Sequence, residues 1–362
     1  MIYYFFFFLI IIEALGCSFY KQLFESYYNN EIRLQQCNEG ISKAFLFLAG
    51  MELILLYSLR DLPNDSIHDL GRYVSFFYDI SYGADYSYLE PGFRWYMYLC
   101  SFISNENIPY ILFTFVFPVI CLTTWFIYKY SKNVFLSIYI YYGFMFYFFL
   151  FNGVRQCISM ALSLPSFYFI NEKKWIKAIV FIGLAVSFHK SAIILLILFL
   201  LRYVKIKIDL RYFLIVTACS LAMVGIGRSL VAMLTSFWGS YSGYLDAEEL
   251  GNWANPIIYL IIIGIICLFN NGKSRGKELL LINSVAVGTL IYFMSTQVQI
   301  LNRMAYYFTI PIICVLPNVI YEIRDLRVRL IAYAGCYGAI TIYGCILILQ
   351  NAHGILPYVL GV

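Results

Sequence analysis

Charged residues are scarce in this chain. Of its 362 residues only 12% are Asp, Glu, Lys or Arg, whereas 62% are hydrophobic and 20% are aromatic. A soluble domain cannot shield so much apolar surface from water, so the composition excludes that class and predicts a protein that crosses a membrane many times. The net charge of +5 is too small and too scattered for nucleic-acid binding, and no nucleic-acid partner is expected.

Recognisable cofactor and signal patterns are also missing. Most of the ten cysteines lie in apolar segments without zinc-ligand spacing, which indicates reduced packing residues and no metal site. No Walker or Rossmann glycine pattern is present, so we expect no nucleotide cofactor. The opening "MIYYFFFFLIIIEALG" has no basic stretch and no small-residue cleavage site, and it predicts a retained first helix.

Apolar segments recur along the chain, and most have roughly the 20 residues that a helix needs to cross the hydrocarbon layer. They lie at 1–17, 41–59, 108–128, 133–151, 154–171, 178–201, 212–230, 256–270, 278–295, 304–321 and 330–349. No repeat, linker or soluble domain separates them. The pattern predicts an all-α transmembrane helical bundle with about 11 to 12 membrane segments, forming one integral-membrane domain over residues 1–362.

Five short basic clusters lie between these segments, and the positive-inside rule assigns them all to the cytoplasm. They are Lys129 with Lys132; Lys173, Lys174 and Lys177; Arg202, Lys205, Lys207 and Arg211; Lys273, Arg275 and Lys277; and Arg324, Arg327 and Arg329. Segment 178–201 has about the length of one crossing, yet basic clusters flank both ends. This predicts a short helical hairpin that turns at "FHKSA". The alternative is one tilted helix with a snorkelling Lys190.

The same topology places residues 60–107 on the outer side as a loop that contributes to the site. "SIHD" at 66–69 has the form of a capping box, and Leu70, Val74 and Phe77 follow at helical spacing. We therefore predict an amphipathic helix near residues 66–80 on the outer face.

Polar and ionisable side chains gather on this outer side. Such groups next to apolar spans are costly unless they pair or bind something, so together they predict a site. For each arginine taken alone, snorkelling at the interface is the alternative. The candidates are Arg60, Asp65, Glu90, Arg155, Gln156, His189, Lys190, Gln299 and Arg303.

Five short motifs carry a family resemblance over about residues 40 to 325. They are Arg60 with Asn64 and Asp65, "EPGF" at 90–93, "NGVRQ" at 152–156, "FHKSA" at 188–192 and "NRMAYYF" at 302–308. In this order and spacing they resemble the EpsG-like, Wzy-type polysaccharide polymerases of bacterial membranes. The resemblance implies a GT-C-like glycosyltransferase that polymerises undecaprenyl-pyrophosphate-linked oligosaccharide repeats into capsule, exopolysaccharide or O-antigen, on the outer face of the cytoplasmic membrane.

The resemblance implies roles and partners as well. Donor and acceptor are both lipid-linked oligosaccharides within membrane lipid, and a flippase and a chain-length regulator would work beside the enzyme. Arginine forks suit pyrophosphate oxygens, so Arg155 and Arg303 are the expected clamp. The remaining substrate-binding candidates are Arg60, Gln156, Lys190 and Gln299. The base that accepts the acceptor's proton is expected among His189, Asp65 and Glu90.

Aromatic residues of the outer loop, Tyr82, Tyr86, Tyr88 and Trp95, either stack on sugar faces or form an interfacial belt. Two other activities stay open at this point. A flippase for the same lipid-linked sugars would also place arginines in a cavity, although the one-sided site and the lack of a repeat disfavour it. A membrane acyltransferase that decorates the polysaccharide would use His189 as its base.

Overall fold

The computed structural model describes residues 2–27, 31–62, 69–104, 106–237, 252–270, 276–356 and 358–359. Within these ranges fifteen α-helices form the fold and no strand is present, so the all-α prediction is confirmed. The helices are α1 (Ile2–Tyr27), α2 (Glu31–Ser58), α3 (Asp69–Ser81), α4 (Pro91–Ser101), α5 (Ile108–Tyr130), α6 (Val134–Gly143), α7 (Val154–Asn171), α8 (Trp175–Phe188), α9 (Ile197–Leu201), α10 (Leu210–Phe237), α11 (Ala254–Asn270), α12 (Lys277–Ser295), α13 (Leu301–Thr309), α14 (Ile312–Tyr321) and α15 (Leu326–Leu349).

The apolar helices of the described residues differ in length. Among the described residues six are long and apolar enough to cross a membrane: Asn38–Ser58, Ile108–Tyr130, Val134–Phe151, Leu210–Gly227, Lys277–Ser295 and Leu326–Leu349. The bent pair α13 and α14 would make a seventh; the two helices meet at 44° around Pro311. Four shorter apolar helices lie at Ile2–Cys17, Trp175–Phe188, Lys190–Leu201 and Ala254–Asn270. The polytopic helical bundle is confirmed; the six long helices, the bent pair and the four shorter apolar helices are its candidate membrane segments among the described residues.

The predicted hairpin at 178–201 is confirmed. Helix α8 ends at Phe188, His189 is not helical, and a 3-10 helix from Lys190 to Leu196 leads into α9. The ring centroids of Trp175 and Phe199 lie 5.9 Å apart. A straight helix would separate two residues 24 positions apart by roughly 36 Å. The chain therefore turns back at "FHKSA".

The outer-loop helix is confirmed over its described part. Helix α3 spans 69–81 and buries one apolar face, made of Leu70, Tyr73, Val74, Phe77 and Ile80. Residues 63–68, which include Asp65 and the predicted cap at Ser66, lie outside the described residues. The placement of this loop on the outer side stays a prediction.

The chain divides into two compact units, and the single-domain assignment of 1–362 stays a prediction. The first unit contains Met1–Ser166, Ile179–Ile193 and Leu330–Val362, and the second contains Phe167–Ala178 and Ile194–Arg329.

The first unit has a core rich in tyrosine. Three hydroxyls donate to backbone carbonyls: Tyr57 to Leu150, Tyr147 to Leu53 and Tyr142 to Tyr3. Large aromatic residues can be buried in this way because their polar atoms find acceptors.

Helix α12 organises the second unit. Asn283 donates to the carbonyl oxygens of Leu201 and Val204, which holds the returning arm of the hairpin. A Cβ on Gly288 would lie 2.4 Å from Thr309 Cγ2, so glycine is required for α13 to pack this closely. The returning arm of the hairpin and the bent pair α13 and α14 therefore both pack against α12.

Candidate functional site

Glu90 is the centre of a charged cluster in the first unit. Its Oε2 accepts a hydrogen bond from Arg155 Nη1 at 2.5 Å. Its Oε1 lies 3.3 Å from His189 Nδ1 and accepts from the backbone N–H of Lys190 at 3.3 Å. The structure thus joins "EPGF", "NGVRQ" and "FHKSA", three motifs far apart in the sequence.

The "EPGF" motif explains how Glu90 reaches this position. Glu90 is extended (φ −62°, ψ 138°), as a residue before proline must be, and Pro91 starts α4. A Cβ on Gly92 would lie 2.2 Å from Ser187 Oγ, so only glycine lets α4 begin against the end of α8. Phe93 is fully buried and its ring centroid is 6.4 Å from that of Phe188. Each residue of the motif therefore serves to bring Glu90 against the hairpin turn.

Arg155 is the second residue of α7, where the positive end of the helix dipole disfavours a cation. Glu90 offsets this cost, and a tyrosine supplies a second contact. Arg155 Nε donates to the hydroxyl of Tyr73 at 3.3 Å, and the guanidinium carbon lies 5.7 Å from the centroid of the Tyr73 ring. Sequence reasoning missed Tyr73; its position on the buried face of α3 was the one available signal.

The charged neighbours of Glu90 favour its ionised form at neutral pH. Its side chain is only 6% exposed, and burial alone would raise its pKa. The neighbouring His189 and Arg155 outweigh burial and lower the pKa to about 2. Glu90 is therefore a carboxylate at neutral pH and a poor proton acceptor. The side chains of Arg155 and His189 are 25% and 26% exposed, so the cluster is open to a ligand.

Arg60 lies in a different environment of the same unit. It is 2% exposed; its Nη2 donates to the carbonyl of Gly354 at 3.3 Å, and its guanidinium carbon lies 4.8 Å from the centroid of the Phe151 ring. Its contacts are thus with the C-terminal segment and with a buried aromatic ring of the same unit. A role for Arg60 in substrate binding stays a prediction.

The other candidates are placed as follows. Gln156 is buried beside Arg155 in α7, and the side chain of Lys190 is exposed. Gln299 is exposed in the turn before α13, and Arg303 is half-buried in α13; both belong to the second unit. Asp65 lies outside the described residues. Among the residues that are described, no group of three His, Cys, Asp or Glu side chains is arranged to hold a metal ion.

Comparison with known proteins gives one match. No curated protein and no solved structure matches this chain. Residues 43–360 match the EpsG family. The matched region includes the whole cluster around Glu90 and the helices that build it. Because it also covers most of the sequence, this multi-pass membrane protein belongs to the EpsG family, the family of Wzy-type exopolysaccharide polymerase-like proteins.

Proposed function

We propose that the protein is a glycosyltransferase that polymerises undecaprenyl-pyrophosphate-linked oligosaccharide repeats at the outer face of the bacterial cytoplasmic membrane. The observation that carries the proposal is the open cluster of Arg155, Glu90 and His189. It offers a cation for a pyrophosphate and an imidazole next to a carboxylate for a hydroxyl. Family membership supports the same class of reaction.

His189 is the base in this proposal. Glu90 Oε1 lies 3.3 Å from Nδ1, and a carboxylate at this distance stabilises the cation that the imidazole forms. The Nε2 atom then takes the proton of the acceptor hydroxyl while that oxygen attacks the anomeric carbon of the donor. The bond from this carbon to the pyrophosphate oxygen breaks, and the lipid pyrophosphate leaves with the electron pair.

Arg155 stabilises the leaving pyrophosphate. Nη1 is held by Glu90 and Nε by Tyr73, so the guanidinium is fixed before the substrate arrives. A preorganised cation is effective because it need not reorient while charge develops on the leaving group. Gln156 and Lys190 are further substrate contacts in this proposal, and Asp65 is the alternative base. The substrate role that the sequence predicts for Arg303 and Gln299 stays a prediction.

The role of His189 is tested by separating donor binding from turnover. Purified His189→Ala is expected to bind an undecaprenyl-pyrophosphate oligosaccharide within about twofold of the wild type. Its turnover should fall by about 100-fold or more, the typical contribution of a general base. His189→Lys should not restore turnover. A large loss of donor binding in His189→Ala, partly recovered by Lys, would instead make His189 a phosphate partner.

The product made in cells distinguishes this reaction from its two alternatives. Deleting a polymerase leaves single lipid-linked units on the outer leaflet, whereas deleting a flippase leaves them inside. Deleting an acyltransferase leaves full-length but undecorated chains. Only the first result agrees with the proposal, and the flippase and the chain-length regulator would then be its working partners.

Orientation is tested by cysteine labelling of the hairpin. Substitutions at Lys173 and Arg202 are expected to react only with reagent on the cytoplasmic side, and one at Lys190 with reagent outside. Labelling of Lys173 and Arg202 from opposite sides would contradict the outward-facing site.

A further inference from the structure

A series of aromatic rings leads away from the Glu90 cluster within the first unit. The ring of Tyr73, which contacts Arg155, lies 6.2 Å from that of Phe76. Phe76 is 4.7 Å from Tyr86 and 6.1 Å from Tyr88, and the last two rings are 5.7 Å apart, all between centroids. These rings connect the charged cluster to the surface without a gap.

Exposure increases along this series. Tyr73 is 7% exposed, whereas Tyr88 at the far end is 63% exposed. Tyr88 precedes Glu90 by two residues, with the buried Leu89 between them, so the backbone passes directly from the outer ring to the charged cluster. Adjacent aromatic rings that form one partly exposed patch, as Phe76, Tyr86 and Tyr88 do, are typical of a binding surface.

Polar groups surround the outer rings. The hydroxyl of Tyr86 donates to Asp79 Oδ2, and Asp85 pairs with Arg94 Nη1 at 3.2 Å on the exposed surface. A pyranose has an apolar C–H face that stacks on rings and hydroxyls that bind carboxylates and guanidinium groups. The mixture of rings and charges on this surface fits such a ligand better than it fits an acyl chain.

Helix α4 provides the contrast. Its large exposed side chains are Trp95, Tyr98 and Leu99, and Phe102 and Ile103 follow directly after its end; the rings of Tyr98 and Phe102 are 4.9 Å apart. This face is continuously apolar, and a helix of eleven residues is too short to span the membrane. It suits the lipid interface, so the two aromatic sets of this loop suit different surroundings.

We propose that Phe76, Tyr86 and Tyr88, with Asp79 and Asp85, form a subsite for the glycan of the lipid-linked substrate. The subsite takes sugar rings next to the one that reacts and holds the chain in line with the Glu90 cluster. This inference rests on the proposed function for the identity of the glycan.

The test uses a ligand without lipid or phosphate. Oligosaccharides of a few repeat units are prepared by partial acid hydrolysis of the polysaccharide from the source cells. Their affinity for the purified full-length protein is then measured by calorimetry. Tyr88→Ala should bind about tenfold more weakly than the wild type, and Tyr88→Phe, which keeps the ring, within about threefold. Trp95→Ala is the matched control, because its ring is 65% exposed, and it should bind within about twofold.

Each outcome decides one proposal. Wild-type protein that does not bind the oligosaccharide, or Tyr88→Ala that binds as the wild type does, would overturn the subsite and leave the polymerase proposal standing. If Tyr88→Ala fails to fold, Tyr86→Ala replaces it with the same expected tenfold loss. Full-length polymer in a deletion strain would overturn the polymerase, while a Tyr88-dependent affinity would still support a glycan site.

Discussion

Two arginines of the first unit, Arg155 and Arg60, differ in their exposure and in their hydrogen-bond partners. Arg155 is 25% exposed at its side chain, has a carboxylate oxygen at 2.5 Å and contacts a tyrosine hydroxyl. Arg60 is 2% exposed and contacts a backbone carbonyl and a phenylalanine ring. Within the described part of the chain, no carboxylate lies at ion-pair distance from Arg60.

Both arginines lie near a helix end, so this position alone does not determine their roles. The roles depend on the groups that each arginine contacts. The segment that Arg60 contacts is also fixed by Tyr3, whose hydroxyl donates to the carbonyl of Ile355, and by Tyr358, which donates to Leu56. Arg60 is thus part of a set of contacts that attaches the C-terminal segment to α1 and α2. Arg155 instead presents a fixed and partly open cation. The comparison favours a structural role for Arg60 and a chemical role for Arg155.

Glu90→Gln should have the largest effect, because it removes the carboxylate charge that pairs with Arg155. Leaving Arg155 unpaired is expected to destabilise the protein by about 3 kcal/mol or more and to abolish most turnover. The lowered pKa of Glu90 also makes the stability depend on pH. The carboxylate stabilises the folded state fully at pH values above about 4.3, the pKa of a glutamate in the unfolded chain. This stabilisation is lost as the pH falls to about 2, the pKa of Glu90 in the folded protein.

The measurement is the thermal unfolding midpoint in detergent as a function of pH. The difference in unfolding midpoint between the wild type and Glu90→Gln should be largest at pH 7 and should decrease as the pH falls from about 4.3 to 2. A difference in midpoint that stays constant over this pH range would show that the folded protein does not stabilise Glu90 as a carboxylate.

Arg155→Lys keeps the positive charge but removes the planar guanidinium group, which can make two parallel hydrogen bonds to a phosphate. Turnover is expected to fall by about 10- to 100-fold, the cost of losing a charge-assisted bond to phosphate. The unfolding midpoint should change little, because the lysine can still pair with Glu90. Wild-type polymer length at normal protein levels would remove Arg155 from the phosphate clamp.

Arg60→Met tests whether the role of Arg60 is structural. Replacing a buried cation by an apolar side chain of similar length is often neutral, and here the loss is one hydrogen bond, about 1 kcal/mol. Turnover per folded protein should stay within about threefold of the wild type. A well-folded Arg60→Met protein without activity would return Arg60 to the substrate site.

Glu172→Gln should have the smallest effect and serves as the reference for both arginines. Glu172 pairs with Lys277 at 2.6 Å in the second unit, with the lysine side chain 58% exposed. Such surface pairs contribute little, because solvent screens them and two long side chains must be ordered. Neither the unfolding midpoint nor turnover should change measurably, and a loss in either would show that this pair matters beyond its surface contact.

Local features of the chain were readable from the sequence. The break at His189 followed from two basic clusters around one span, and α3 followed from the spacing of Leu70, Val74 and Phe77. The motif order indicated the family. Apolar composition did not show where a helix breaks inside a segment, as the chain does between α13 and α14 at Pro311.

By itself, the sequence determined the helical class, the hairpin turn and the residue types at the site, because composition and periodicity act over a few turns of chain. Only the tertiary structure decided that Glu90 pairs with Arg155 and faces His189, that Tyr73 supports the arginine, and that Arg60 contacts the C-terminal segment. These contacts join residues 65 to 294 positions apart. Which charge finds which partner depends on how the helices pack, and no local pattern carries that information.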